Sequence, residues 1–231
     1  MRFKPLKILK DYGGTRITLG RDYETGLYVV EKKVVSDSDF IIQLFNNEVE
    51  IYKKIKHRNI VKFLGEGDNP FSFFMEYAPY GTLRDFVNKH RDAKKIKIFL
   101  RQILDAISYL HNAGIAHNDI TDTNFLVFDN YRCKLTDFAM AAPIGKPLFL
   151  NRPFGFNVGT SGFSRERNIQ KSLIQNDIYS IGILFYVLLT GKSVKYSVDL
   201  DELDQKYRDV IRGCLSNEID SVEMIKNLLQ L

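Results

Sequence analysis

Tryptophan is absent from the 231-residue sequence, and cysteine, histidine and proline are scarce, with two, four and six residues. The two cysteines, Cys133 and Cys214, cannot form a disulfide framework, and neither belongs to a paired metal-binding spacing. These shortages exclude the small disulfide-rich secreted class and cysteine-based zinc modules. We therefore expect a reduced compartment and predict a cytoplasmic protein.

Long apolar runs are also missing. Residues 1–5 lack the apolar core of a signal peptide, and no later run reaches the length that crosses a bilayer. The net charge is only +5, and the basic run at residues 89–97 lacks interleaved aromatics that could stack on bases. We therefore expect neither a membrane nor a nucleic acid as a partner, and we interpret the basic run as a solvated helix start.

The remaining composition, 45% apolar and 26% charged, is that of a globular chain with ample core. Strand-like alternation comes first, and helical periodicity dominates after about residue 96. Strands are predicted at residues 7–10, 16–19, 26–34 and 72–78, and helices at 38–55, 96–112, 176–191, 206–215 and 219–229.

Two short polar stretches flank a predicted hairpin near the middle of the chain. Residues 124–128 and 133–135 are apolar runs separated by the turn signal Asp129-Asn130. Such a hairpin would hold Asp119, Asn124 and Asp137 close together. One of these groups could accept a proton from a hydroxyl, while the other two bind a hard divalent cation through oxygen. That combination suits phosphoryl transfer.

These stretches, H-N-D-x-x-x-x-N at 117–124 and D-F-A at 137–139, resemble the H-R-D-x-x-x-x-N and D-F-G motifs of eukaryotic-like protein kinases. The resemblance implies an α+β, two-lobed fold with ATP and Mg²⁺ as ligands. It implies one kinase domain over 1–231, with a small β-rich N-lobe carrying one long helix (1–76), a hinge (77–82) and a compact helical C-lobe (83–231). It also implies Asp119 as the catalytic base and Asn124 and Asp137 as metal ligands.

Lys32 ends the segment V-V-E-K, which is similar to the family's V-A-I-K. Two solvated lysines on an edge strand are the alternative interpretation of Lys32 and Lys33. The segment His57-Arg58-Asn59-Ile60-Val61 resembles the family's H-x-N-I-V and fixes the register of Glu48 on the preceding helix. The resemblance therefore implies that Lys32 and Glu48 pair and serve catalysis.

The nucleotide-binding half of the pattern is less complete. The three glycines of the family's phosphate flap fall on Lys10, Tyr12 and Thr15, and the nearby Gly13-Gly14 could approach a phosphate or form a plain hairpin turn. The segment Met75-Glu76-Tyr77 resembles the family's hinge. The residues that the resemblance assigns to the nucleotide are Gly13, Gly14, Ile17, Val30, Lys32, Met75, Glu76, Ala78 and Leu126.

Beyond Asp137 the chain resembles an activation segment. Residues 159–163 are similar to the family's G-T-x-x-Y, and Glu166 stands where A-P-E is expected. The resemblance implies that Thr160 supports Asp119, which favours Ser/Thr acceptors. We predict that Asp177 is the N-cap of the following helix, and the resemblance implies that it also ties the catalytic loop from below.

Three positions depart from the pattern. Asn118 replaces the arginine of H-R-D, Thr121 replaces the catalytic-loop lysine, and Ala139 replaces the glycine of D-F-G.

We predict ATP- and Mg²⁺-dependent phosphorylation of protein Ser/Thr hydroxyls by a divergent, minimal kinase. Two alternatives stay open: a pseudokinase that acts as a binding scaffold, and a small-molecule kinase of the choline-kinase type.

Overall fold

The computed structural model describes residues 3–148, 171–194 and 198–231. It has two lobes, as expected: an N-terminal lobe built on a sheet with one helix, and a C-terminal lobe built mainly of helices. Strand β5 ends at Glu76 and helix α2 begins at Leu83, so residues 77–82 connect the two parts.

The N-terminal sheet is antiparallel, with five strands in the order β1-β2-β3-β5-β4. Its elements are β1 (Phe3–Tyr12), β2 (Thr15–Asp22), β3 (Tyr28–Val34), α1 (Asp39–Lys54), β4 (Phe63–Glu66) and β5 (Ser72–Glu76). The predicted first strand, 7–10, is therefore too short. Alternation missed its ends because β1 is a solvent-exposed edge strand, whose outer residues need no apolar pattern.

The turn between β1 and β2 is a two-residue hairpin. Tyr12 pairs with Thr15, and both intervening glycines have positive φ, +68° at Gly13 and +77° at Gly14. Positive φ at both central residues matches the right-handed twist of the flanking strands and is strained for a residue with a Cβ. A Cβ at Gly14 would also lie 3.0 Å from the Cβ of Ser36, so the turn packs closely on the loop before α1.

Helix α1 buries one face against the sheet. Phe45, Val49 and Tyr52 recur at spacings of four and three residues and are all buried. Asp39 lies in the first turn, and Lys53 and Lys54 lie in the last. Their charges interact favourably with the helix dipole at both ends. This periodicity is what predicted the helix at 38–55, and it places Glu48 on the buried face.

The C-terminal part packs helices around two small two-stranded sheets, β6-β9 and β7-β8. Its elements are α2 (Leu83–Lys89), α3 (Ala93–Asn112), β6 (Ile115–Ala116), β7 (Phe125–Phe128), β8 (Arg132–Leu135), β9 (Ala142–Pro143), α4 (Ile174–Thr190), α5 (Gln205–Leu215) and α6 (Val222–Leu229). The predicted hairpin is confirmed as β7-β8. The basic run begins α3, with Asp92 as its N-cap, three residues before the predicted start.

Helix α4 is buried nearly all round and packs tightly on α5. A Cβ at Gly182 would lie 2.8 Å from the Cβ of Cys214, so only glycine permits this approach. The helix begins at Ile174 with Leu173 at the N-cap position, and the prediction that Asp177 caps it is wrong. Asp177 lies within the first turn, and its carboxylate accepts hydrogen bonds from another segment of the chain.

In the described ranges, no helix combines the length and apolarity that crossing a lipid bilayer requires.

Candidate active site

Lys32 contacts one carboxylate from each lobe. It projects from β3, and its Nζ lies 2.5 Å from Glu48 Oε2 on α1 and 3.2 Å from Asp137 Oδ1, just after β8. Both Lys32 and Glu48 are buried, whereas Asp137 is about one-third exposed. The predicted contact between Lys32 and Glu48 is therefore present. The alternative interpretation, in which Lys32 is a solvated lysine on an edge strand, is wrong.

Burial and charge act against each other in this cluster. Burial alone would lower the pKa of Lys32, but the carboxylates of Asp137 and Glu48 raise it well above its usual range. Burial raises the pKa of Glu48 to about 7, although Lys32 opposes that shift. Burial likewise works to raise the pKa of Asp137, yet Lys32 reverses the direction and holds it below its usual value. Lys32 therefore stays charged, and Asp137 stays ionised.

Asp119 and Asn124 meet in the loop before β7. Asn124 Nδ2 donates to the backbone oxygen of Asp119 at 2.9 Å and to its Oδ2 at 2.8 Å, which fixes the direction of that carboxylate. The Asp119 N–H donates to His117 Nδ1, so the proton of this imidazole is on Nε2, which faces the Thr136 carbonyl at 3.2 Å. The hairpin thus brings Asp119, Asn124 and Asp137 into one region.

Asp177 holds the same loop from within α4. Its Oδ2 and Oδ1 accept the backbone N–H groups of His117 and Asn118, both at 2.7 Å. His111 Nε2 lies 2.9 Å from Oδ2. Burial would raise the pKa of Asp177, but His111 and the backbone donors lower it overall. This buried carboxylate is therefore ionised and satisfied at both oxygens, as the resemblance implied for the loop.

Phe138 forms the apolar link between the lobes beside the cleft. Its ring packs edge-on against the rings of Tyr52 of α1 and His117, with ring centroids 4.8 and 5.2 Å apart. The Tyr52 hydroxyl lies 2.9 Å from the Thr136 hydroxyl. Asp137, which directly precedes Phe138, has a left-handed backbone with φ +65°.

The residues predicted to bind the nucleotide line one side of the sheet and its connection to α2. Ile17 pairs with Lys32, and Val30 pairs with Met75, so these side chains share one face. Glu76 ends β5, and Ala78 follows it. Leu126 on β7 lies opposite Thr82, at the start of α2. Gly14, by contrast, packs on Ser36, and its carbonyl accepts the Val35 N–H.

Asn47 was missed by sequence reasoning. Its Nδ2 reaches three carbonyl oxygens of the segment after Asp137, those of Phe138, Ala139 and Ala141, at 3.3, 3.0 and 2.8 Å. Asn47 precedes Glu48, so one turn of α1 contacts both Lys32 and this segment. The only hint in the sequence was a polar amide next to Glu48. It could not indicate the partners of Asn47, because they lie more than 90 residues away in the chain.

Asn118, the departure from H-R-D, forms a buried neutral network. Its Nδ2 lies 3.1 Å from the Ala116 oxygen, 3.2 Å from the Met140 oxygen and 3.0 Å from Ser172 Oγ. Its Oδ1 accepts from Asn176 of α4 at 3.1 Å. The network joins the catalytic loop, the segment after Asp137 and α4 without any charge.

The predicted roles of Thr160 and Glu166 lie outside the described residues, as does the whole segment 159–163. Thr121, which replaces the catalytic-loop lysine, is buried, and its hydroxyl lies 2.8 Å from that of Thr123. The neighbouring Asp122 forms a two-pronged pair with Arg84 of α2, at 2.7 and 3.0 Å.

Comparison with known proteins identifies the same pattern. The family model described as "Protein kinase domain" matches residues 13–228. A probable cyclin-dependent kinase 10 of Dictyostelium discoideum is 34% identical over 223 residues, which is 92% of this chain. A probable serine/threonine-protein kinase of the same organism is 33% identical over 187 residues, or 78% of this chain. The maternal embryonic leucine zipper kinase of Danio rerio is 29% identical over 220 residues, or 89% of this chain. The chain spans only 56%, 37% and 31% of the lengths of these three proteins.

Proposed function

This chain belongs to the protein kinase family, and we propose that it transfers the terminal phosphoryl group of ATP to Ser or Thr hydroxyls of a protein substrate, with Mg²⁺ as the metal. The observation that carries the proposal is the position of Lys32 between Glu48 and Asp137. A buried ammonium held by one carboxylate from each lobe is a preorganised charge for nucleotide phosphates.

Asp119 is the residue proposed to receive the substrate hydroxyl. The carboxylate is oriented by the Asn124 amide and is anchored through its backbone to His117. In the proposed reaction it orients the Ser or Thr hydroxyl and accepts its proton as the oxygen attacks the phosphorus. The position of Asp119 close to Asn124 and Asp137 would put that hydroxyl beside the metal ligands.

The donor set fits Mg²⁺. The amide nitrogen of Asn124 is engaged by Asp119, which leaves the amide oxygen as the metal ligand, and Asp137 offers a carboxylate. In the described parts of the chain no cluster of three or more His, Cys, Asp or Glu could hold a metal ion. Mg²⁺ does not need one, because it binds through one or two protein oxygens together with substrate phosphates and water. When bound, it would neutralise charge on the phosphates.

The proposed specificity for Ser and Thr acceptors rests on Thr160 and on a similar protein. Thr160 stands at the position that supports the catalytic base in Ser/Thr-specific members of the family, and one similar protein carries serine/threonine-protein kinase in its name. Hydroxyl acceptors on proteins are therefore favoured over small molecules such as choline.

The scaffold alternative is favoured by one observation. The β1–β2 turn lacks the family's flap glycines, and Gly14 is packed against Ser36. A chain that kept the fold but bound no nucleotide would show the same feature. The ion pairs of Lys32 argue against this alternative, because a scaffold has no need of a buried cation at that place.

Incubation of the purified chain with γ-labelled ATP tests the three classes together. Casein and choline are offered separately, each with Mg²⁺ and with EDTA. We expect label in casein, released by acid hydrolysis as phosphoserine or phosphothreonine, and only with Mg²⁺. Label in phosphocholine alone would favour the small-molecule enzyme, and no transfer to either acceptor would favour the scaffold.

A further inference from the structure

Lys10, on the edge strand β1, lies in one row with Lys32. Lys10 pairs with Ile17 of β2, and Ile17 pairs with Lys32 of β3. Directly paired residues in antiparallel strands present their side chains to the same face of the sheet. This is the face on which Lys32 reaches Glu48 and Asp137, so Lys10 points to the cleft side of the sheet.

The neighbouring pair occupies the opposite face. Asp11 pairs with Arg16 one position further along, and the two side chains form an ion pair of 2.8 Å. Arg16 therefore engages Asp11 on the outer side, away from Lys10. Among the residues that the structure describes, Lys10 has no carboxylate within ion-pair distance, and its side chain is exposed.

The flap itself offers little to a phosphate. Lys10, Tyr12 and Thr15 occupy the positions of the family's flap glycines, and the turn at Gly13-Gly14 packs on the loop before α1. Fewer backbone N–H groups can then converge on phosphate oxygens. A lysine ammonium is a strongly hydrated point charge that binds phosphate without demanding a fixed geometry.

We propose that Lys10 binds phosphate oxygens of the nucleotide, so that a side-chain cation supplies what the flap glycines supply through their backbone in other kinases. The inference rests on the proposed function, since it takes ATP as the ligand. It makes the phosphate-binding group of this flap a side chain that can be removed without altering the turn.

The test compares ligands that share adenosine and differ in phosphate. Binding of ATP, ADP and adenosine is measured by calorimetry in Mg²⁺ for the unmodified chain and for Lys10→Met. Loss of one charge-assisted contact should weaken ATP binding about ten- to a hundredfold. Adenosine binding should be unchanged, and Lys10→Arg should retain most of the ATP affinity.

Lys33→Met is the matched control. Lys33 of β3 pairs with Arg16, which pairs with Asp11, so it belongs to the outer row of the sheet and not to the row of Lys10 and Lys32. Its replacement removes the same charge from the same sheet, and we expect ATP affinity within about twofold of the unmodified chain. Thermal unfolding of both variants shows whether the sheet is intact.

Two results would overturn the inference while the proposed function stands. One is unchanged ATP affinity in Lys10→Met, with normal transfer by the unmodified chain. The other is an equal loss of ATP and adenosine affinity, which would mean that Lys10 shapes the flap. If the unmodified chain binds no ATP, the proposed function fails, and the inference fails with it.

Discussion

Asn118 is the residue at which this chain replaces the charged arginine of H-R-D by a neutral side chain. It has a left-handed backbone, φ +62°, which asparagine tolerates better than most residues. Its side chain joins Met140, Ser172 and Asn176 through neutral hydrogen bonds. In the family the arginine at this position binds a phosphorylated activation segment. Here the connection between the catalytic loop and the following segment is made without a phosphate.

Transfer activity should therefore not depend on phosphorylation of the activation segment. A phosphate at Thr160 or Ser161 would lack its usual catalytic-loop partner, so it would gain little from ordering the segment. We expect equal transfer to casein before and after treatment with a protein phosphatase, and equal transfer by Ser161→Ala. Silencing by either change would mean that another cation, such as Lys146 or Arg152, binds the phosphate.

Asn118→Gly isolates the energy of the network. Glycine accepts the left-handed backbone, so the substitution removes the hydrogen bonds without adding strain. Leaving the Asn176 amide and nearby carbonyls unpaired should cost about 1–3 kcal/mol of unfolding free energy, measured by urea denaturation. Asn130→Gly is the control, because Asn130 has φ +58° on an exposed turn. Equal effects of the two variants would contradict a specific role for the network.

At the scale of elements, α1 and α4 each contribute a carboxylate and an amide to the site. The turn of α1 at Asn47 and Glu48 contacts Lys32 and the segment after Asp137. Helix α4 provides Asp177 to the catalytic loop and Asn176 to Asn118. Displacement of either helix would therefore disturb several site residues at once.

Apolar periodicity made these helices predictable from the sequence, but it does not show which distant residues their polar side chains contact. Apolar spacing located α1, and the H-x-N-I-V resemblance fixed Glu48, which indeed contacts Lys32. Asp177 was misplaced as an N-cap because aspartate is favoured there locally. Its partners in the catalytic loop, the N–H groups of His117 and Asn118, lie 60 and 59 residues away, and only the family resemblance implied that contact. Contacts over such distances leave no local periodic signal, and the same holds for Asn47.

The buried Asp177 should make folding stability depend on acid pH. Its folded pKa is lowered, so its stabilisation is complete above the unfolded value of 3.8 and is lost as pH falls below it. We expect the unfolding free energy to fall more steeply below about pH 4 in the unmodified chain than in Asp177→Asn. The variant should be less stable near neutrality, by roughly 1.5–3 kcal/mol, because it loses charge-assisted hydrogen bonds. Parallel urea-denaturation curves over this pH range would contradict the assignment.

At the scale of the whole molecule, the lobes meet at charged and aromatic contacts around the cleft. Lys32 joins β3 to Asp137, and Phe138 packs between Tyr52 and His117. A ligand that binds Lys32 and the proposed metal ligands, Asn124 and Asp137, would contact both lobes together. Its binding should therefore stabilise the entire fold rather than one element.

ATP should raise Tm clearly with Mg²⁺ and little in EDTA. The flap supplies few backbone donors, so we expect binding to depend on the metal that Asn124 and Asp137 are proposed to hold. The stabilisation follows the ratio of ligand to dissociation constant and is roughly 2.7 kcal/mol at a hundredfold excess. Asp137→Asn should erase the difference between the two conditions in a thermal shift series. Absence of any shift at millimolar ATP would mean that the cleft binds no nucleotide.

The central claim is that Asp119 acts on an acceptor hydroxyl in this cleft, and the direct test is phosphoryl transfer by Asp119→Asn. Labelled phosphate incorporated into casein is measured for this variant, for the unmodified chain and for Asp129→Asn, which makes the same change on an exposed turn. We predict that Asp119→Asn abolishes transfer while its ATP affinity and Tm stay close to those of the unmodified chain, and that Asp129→Asn transfers normally. Undiminished transfer by Asp119→Asn would contradict the account.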